Sequence, residues 1–217
     1  MIPMFRLIAF ALVILGVVHP TTADWDKGLE AHQRGDIESA FREWSDSAEK
    51  GHADSQYNVG LMYLNGAEQT GKVIVERDLD KAVRMISLAA SQDQQDAMYY
   101  VGLFYIGDFG IPQDPHQAYC WFERVARLGY PRGYFALGRI NLEGIGGPRD
   151  VVKAHAFLSL AVAMGHEPSK ALLESALGQM TDLSQVDESM RFLNEWGAPE
   201  APLRECELPR VGSNRDR

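Results

Sequence analysis

An all-α solenoid, in which helical hairpins stack in a row, is the fold class this sequence predicts, and three observations carry the prediction. Asp36, Asp78, Asp114 and Asp150 each precede an alanine by four residues: Ala40, Ala82, Ala118 and Ala154. Eleven residues after each alanine stands Gly51, Asp93, Gly129 or Gly165, and nine residues beyond the first three of these stands Gly60, Gly102 or Gly138. Between these anchors the apolar residues recur at helical spacing. A fixed period of this length marks units that bury their apolar faces only against their neighbours. The steps between the three glycines are 42 and 36 residues, so one copy carries a six-residue insertion.

The chain opens on what reads as a leader. Arg6 is its only charge, Leu7 to Val18 is an apolar run of 12 residues, and Thr21-Thr22-Ala23 supplies small residues before a cut at Asp24. That order is the secretory pattern, and the run is short for a spanning helix. The expectation is a cleaved signal over 1–23 and an exported protein, in a bacterial periplasm or secreted, with no membrane insertion after cleavage. Removing the leader leaves 20 basic against 30 acidic residues, a net charge of −10. Such a chain has no general attraction for nucleic acid or anionic lipid. Basic or neutral partners suit it better.

Trp25 to Arg34 predicts a first short helix, closed by Gly35, with Asp36 as N-cap of the next. The next helix places Ala40, Phe41, Trp44, Ser47 and Ala48 on one face. Its counterparts place Ala82, Val83, Ile86, Ala89 and Ala90, then Ala118, Tyr119, Phe122, Val125 and Ala126, then Ala154, His155, Leu158, Ala161 and Val162. This is the apolar stripe of an amphipathic helix. The other helix of each pair carries Val59-Gly60 with Tyr63, Val101-Gly102 with Tyr105, and Leu137-Gly138 with Asn141. A glycine inside a helix costs about 0.5–1 kcal/mol relative to alanine. Its return at one register predicts a neighbouring helix lying against the backbone.

The stretch Ala53 to Gly66, ADSQYNVGLMYLNG, and the stretch Asp114 to Gly129, with Ala118, Trp121-Phe122 and its closing glycine, resemble the Sel1-like repeat family, a relative of the tetratricopeptide repeat. The resemblance covers roughly 25–165 and implies α/α hairpins stacked into a right-handed superhelix. Asp93, Pro131, Asn141 and the insertion between Gly66 and Asp78 depart from the pattern. The expected organisation is an N-terminal hairpin over 24–51, three repeats over 52–92, 93–128 and 129–165, and capping helices over 166–196. The tail 197–217, proline-rich and charged without period, is expected to be disordered.

Several motifs could carry chemistry, and each has a plainer explanation. Gly66-Ala67-Glu68-Gln69-Thr70-Gly71-Lys72 has the glycine and lysine spacing of a phosphate-binding loop, but Val73 stands where Ser or Thr would hold Mg²⁺, and a helix precedes it. It reads as a lengthened inter-helix loop. Gly144 to Pro148 matches the turn Gly107 to Pro112 of the preceding copy. His32, His52, His116, His155 and His166 show no metal spacing, and no serine sits in a nucleophile elbow. No cofactor or enzymatic activity is expected. Cys120 occupies a register held elsewhere by Arg42 and Arg84, so the tail could reach it with Cys206. Connectivity does not follow from sequence, and two unpaired thiols are the default expectation.

By resemblance to tetratricopeptide repeats, the stripe opposite the packing face of each first helix lines a concave groove. Tyr57, Tyr99 and Phe135 form a candidate ladder along it, flanked by Leu61, Leu103 and Arg139. Aromatics and arginine are frequent anchors for a peptide or protein partner. The competing reading is that the aromatics pack between adjacent repeats. The expected function is therefore a non-enzymatic adaptor, with roles in envelope assembly or receptor restraint implied by the family resemblance. The alternatives are a cell-wall or β-lactam-related protein, for which this chain lacks the repeated Cys pairs of such relatives, and an oligomeric envelope scaffold.

Overall fold

In the computed structural model, residues 22–196 and 205–210 are described. Ten helices and one two-stranded sheet follow in the order α1 (Thr22–Gln33), α2 (Ile37–Glu49), α3 (Ala53–Asn65), β1 (Ala67–Gln69), β2 (Lys72–Val75), α4 (Leu79–Ala90), α5 (Gln95–Phe104), α6 (Pro115–Arg127), α7 (Pro131–Glu143), α8 (Val151–Ala163), α9 (Ser169–Leu177) and α10 (Ser184–Trp196). From α1 to α9 each helix packs chiefly on its neighbours in sequence, and α10 folds back onto α8. Over α1–α8 the odd-numbered helices form the first members of four hairpins and the even-numbered helices the second. The leader expected over 1–23 lies outside the described residues, apart from Thr22 and Ala23 at the start of α1.

The four aspartates that mark the repeat do one job. Asp36, Asp78, Asp114 and Asp150 cap α2, α4, α6 and α8, their carboxylates accepting from the backbone N–H of Ser39, Lys81, Gln117 and Lys153 at 3.1, 3.0, 3.1 and 2.9 Å. In the last three copies the cap's own N–H donates to the carbonyl of Tyr63, Tyr105 or Asn141 at 2.8–2.9 Å. One residue thus starts the second helix and pins it to the end of the first. At the far end, Gly51, Gly129 and Gly165 turn the chain with φ of 94°, 82° and 84°, and Asp93 takes the same turn at φ 61°.

The in-helix glycines are close-approach points. A Cβ on Gly60, Gly102 or Gly138 would stand 2.5 Å from Ile86, Phe122 or Leu158 respectively, the stripe residues of the following second helix. Between the hairpins lies a continuous core from Leu64 to Phe157, in which Ile86, Phe104, Trp121, Phe122 and Leu137 are buried. Satellite clusters around Trp44 and around Leu158 close the two ends.

Three expectations are corrected. The insertion after Gly66 is a β-hairpin rather than an irregular loop: β1 and β2 pair antiparallel around Thr70 and Gly71, both at positive φ (50° and 80°). Two successive positive φ angles are what a tight hairpin turn requires, and Val73, Ile74 and Val75 favour a strand. The hairpin is anchored to the start of α2, where Glu38 N–H donates to Gln69 Oε1 (3.1 Å) and Lys72 pairs with Glu38 (3.2 Å). The cysteines are not two free thiols: Cys120 and Cys206 form a disulfide. Consequently residues 205–210 are not loose; Trp121 Nε1 and Tyr105 OH both donate to the Glu207 carbonyl, at 2.7 and 3.0 Å. The rest of the expected tail, 197–204 and 211–217, lies outside the described residues.

Candidate partner-binding surface

The face presented by α3, α5 and α7 carries the predicted groove residues, and the structure distributes them unevenly. Tyr57, Leu61, Leu103, Phe135 and Arg139 are half-buried, while Tyr99 is only 7% exposed. Its ring packs 5.5 Å from Phe122 of α6. Phe135 lies 4.9 Å from the His166 ring at the start of the next hairpin, and Tyr57 lies 5.9 Å from Tyr100 of α5. Each ladder aromatic therefore touches the repeat that follows its own hairpin or the helix within it, and Tyr57 and Phe135 keep a partly exposed edge.

Arg132, at the start of α7, ties the surface together. Its guanidinium pairs with the Asp96 carboxylate of α5 and lies 4.2 Å from the Tyr99 ring centre and 5.9 Å from that of Tyr100. Burial, and then the Asp96 carboxylate, push the Tyr57 hydroxyl well above its ordinary range, so it stays a neutral donor. Burial, assisted by Arg132, lowers the His166 pKa. A small cavity of about 80 Å³ sits against this cluster, lined by Asp96, Tyr99, Tyr130 and Arg132 among others. Arg139 Nε is sealed from solvent and has no hydrogen-bond partner among the described residues, so packing of the stem holds that side chain.

Sequence reasoning missed Tyr100 and His166. Tyr100 adjoins Tyr99 and could have been read from the dipeptide, but His166 comes in only because the turn after α8 returns to α7. A second depression of about 270 Å³ lies between the start of α6 and the turn 144–150. Its one carboxylate, Asp150, is engaged in capping and in an ion pair with Lys153 at 3.0 Å. Among the described residues, no group of three or more His, Cys, Asp or Glu side chains could hold a metal ion, and no helix is long and apolar enough to cross a membrane.

Comparison with known proteins places this architecture. The family model for the Sel1 repeat matches residues 53–94, 95–130 and 131–166. The crystal structure of a Sel1 repeat protein from Oxalobacter formigenes superposes with a TM-score of 0.65 at 23% identity, over 83% of this chain and 74% of that one. A protective antigen with an SLR fold from uropathogenic Escherichia coli strains superposes with a TM-score of 0.51 at 19% identity, over 80% of this chain. This chain spans 44% of that antigen. No curated protein matches the sequence. At these identities the two structures speak to the fold alone.

Proposed function

Because this chain belongs to the Sel1 repeat family, whose repeats are generally protein–protein interaction modules, we propose that it is a non-enzymatic adaptor holding a protein or peptide partner on the face formed by α3, α5 and α7. The observation that carries this reading is a register. Leu61, Leu103 and Arg139 stand at equivalent positions of three consecutive first helices and all stay partly exposed, Leu61 and Leu103 while resting one side on the core. Tyr57 and Phe135 extend the strip with aromatic edges. A curved row of partly exposed apolar and aromatic groups, bounded by Asp54, Asp96 and Arg132, suits an extended or helical segment.

The export pattern of residues 1–23 supports a periplasmic or secreted setting, with a role in envelope assembly or signalling regulation. The test is a crosslinking pull-down with the whole protein beside a Leu61→Ala, Leu103→Ala, Arg139→Ala variant whose helicity is checked by circular dichroism. These three positions are chosen over Tyr99, whose truncation would open the core. Loss of one enriched protein in the variant supports the adaptor. Enrichment that survives the variant counts against this face, and enrichment of peptidoglycan fragments points to the cell-wall alternative.

A further inference from the structure

The opposite side of the solenoid, formed by the second helices, holds a different recognition element at α6. Position two after the repeat alanine is exposed as Arg42 and Arg84 in α2 and α4, but in α6 it is Cys120, 8% exposed and bonded to Cys206. Beside it three side chains converge on a single residue of the C-terminal segment. Trp121 Nε1 and Tyr105 OH donate to the Glu207 carbonyl at 2.7 and 3.0 Å, and the Glu207 N–H donates to Gln117 Oε1 at 2.8 Å. The Glu207 side chain itself is exposed. What is read is therefore the main chain, its carbonyl and its N–H together, and any non-proline residue offers both.

This trio is not a by-product of the repeat. The registers of Gln117, Trp121 and Tyr105 hold Lys81, Met85 and Tyr63 in the preceding repeat and Lys153, Phe157 and Asn141 in the following one. In the following repeat Phe157 is covered instead by α10, through Phe192 and Trp196 at 5.4 and 5.2 Å. Only one repeat combines two donors and an acceptor set for a peptide unit. Both donors belong to buried residues, Trp121 at 2% and Tyr105 at 7% exposure, which would lose their common acceptor if the segment left.

We propose that Tyr105, Gln117 and Trp121 form a redox-gated peptide-binding site, closed by residues 205–210 while the disulfide is intact and open to an extended segment of another protein once a dithiol reductant has cleaved it. The Cys206 side is the more exposed of the bridge. A reductant thiolate attacks Cys206 Sγ, Cys120 leaves as a thiolate and takes a proton, and the reductant's second thiol releases Cys206 as its own disulfide forms. Two electrons pass from the dithiol to the bridge. The freed segment then competes for the site only through its tether, so a segment from a partner can displace it.

The probe is a fluorescein-labelled peptide with the sequence of residues 203–212 carrying Cys206→Ser, followed by anisotropy against the full chain. Three proteins are compared: the disulfide-intact chain, the chain reduced with a dithiol, and a Cys206→Ser, Glu207→Pro chain whose own segment lacks both the bridge and the N–H that Gln117 accepts. The expected result is no binding to the intact chain, weak binding to the reduced chain, and about 10-fold tighter binding to the double variant. Adding Trp121→Phe or Gln117→Ala to the double variant weakens binding about 5- to 10-fold, the size of one hydrogen bond, with circular dichroism unchanged. Equal binding to intact and reduced chains, no binding to the double variant, or indifference to both site substitutions overturns the proposal.

Discussion

Arg132 of α7 spans to α5, pairing with the Asp96 carboxylate while its guanidinium lies 4.2 Å from the centre of the Tyr99 ring. One side chain thereby fixes the spacing of two first helices on the face proposed to bind a partner. The pair is over a third exposed on both sides, so its Coulombic share is small. Stacking on the ring adds to it. Arg132→Ala is expected to cost about 1–2 kcal/mol in chemical denaturation, and Arg132→Lys about 1 kcal/mol, because an ammonium matches neither the carboxylate fork nor the ring as well. A double-mutant cycle with Asp96→Ala should return a coupling of about 0.5–1 kcal/mol.

The close-approach glycines divide into soft and hard cases. On Gly102 a Cβ would meet the Phe122 ring edge at 2.5 Å, and a ring can shift at a cost. On Gly133 it would meet the backbone N of Ala126 at 2.3 Å, which cannot move without parting α6 from α7. Gly102→Ala is expected to destabilise by about 1–2 kcal/mol after the gain in helix propensity, and Gly133→Ala by about 3 kcal/mol or more. Gly147→Ala, which meets nothing within 4 Å, serves as the control and should stay within about 0.5 kcal/mol of the parent. Thermal or denaturant unfolding of the three variants ranks them.

The Cys120–Cys206 bridge joins residues 86 positions apart. A loop of that length restricts the unfolded chain strongly, and Cys120→Ser with Cys206→Ser should lower the unfolding free energy by about 2–4 kcal/mol. The upper figure applies when the hydrogen bonds of Glu207 hold the segment in place without the bridge; a segment that comes free regains entropy in the folded state and lessens the loss. Denaturation of the oxidised parent and the serine variant under the same conditions gives the difference.

Two histidines set an acid-side limit. Burial lowers the His155 pKa, and burial with Arg132 lowers that of His166, from an ordinary 6.5. A group whose folded pKa is depressed in this way stays neutral in the fold but takes a proton in the unfolded chain. Stability is therefore full above pH 6.5 and falls as pH drops through that value, levelling off below the folded pKa. His155, whose Nδ1 lies 2.8 Å from Ser189 Oγ, couples this loss to the docking of α10 on α8. His155→Gln and His166→Gln should each flatten the fall in unfolding free energy between about pH 7.5 and 5.

The fold was legible because its signals are local and repeated. Asp36, Asp78, Asp114 and Asp150 cap helices through their own side chains, and Gly60, Gly102 and Gly138 face the next helix at one register. Gly133, which breaks that register, could not be picked out, because its contact with Ala126 depends on where α7 lies against α6. The 67–75 hairpin was masked by a resemblance to a phosphate loop, although Thr70-Gly71 and the β-branched run were present. Pairing of Cys120 with Cys206 depends on residues 205–210 lying against α6, which no periodicity encodes. On the candidate surface, the register of Leu61, Leu103 and Arg139 was readable, whereas the burial of Tyr99 against Phe122 required the tilt between α5 and α6.

The most direct measurement of the adaptor reading is site-specific photocrosslinking in the whole protein, with a benzophenone amino acid placed in turn at positions 61, 103 and 139 on the first-helix face and at position 84 on the second-helix face. The account predicts one and the same crosslinked protein from 61, 103 and 139 and none from 84, since a partner lying along the first helices passes all three. Crosslinks from 84 alone, or from no first-helix position in cells where the protein is expressed and folded, would contradict it.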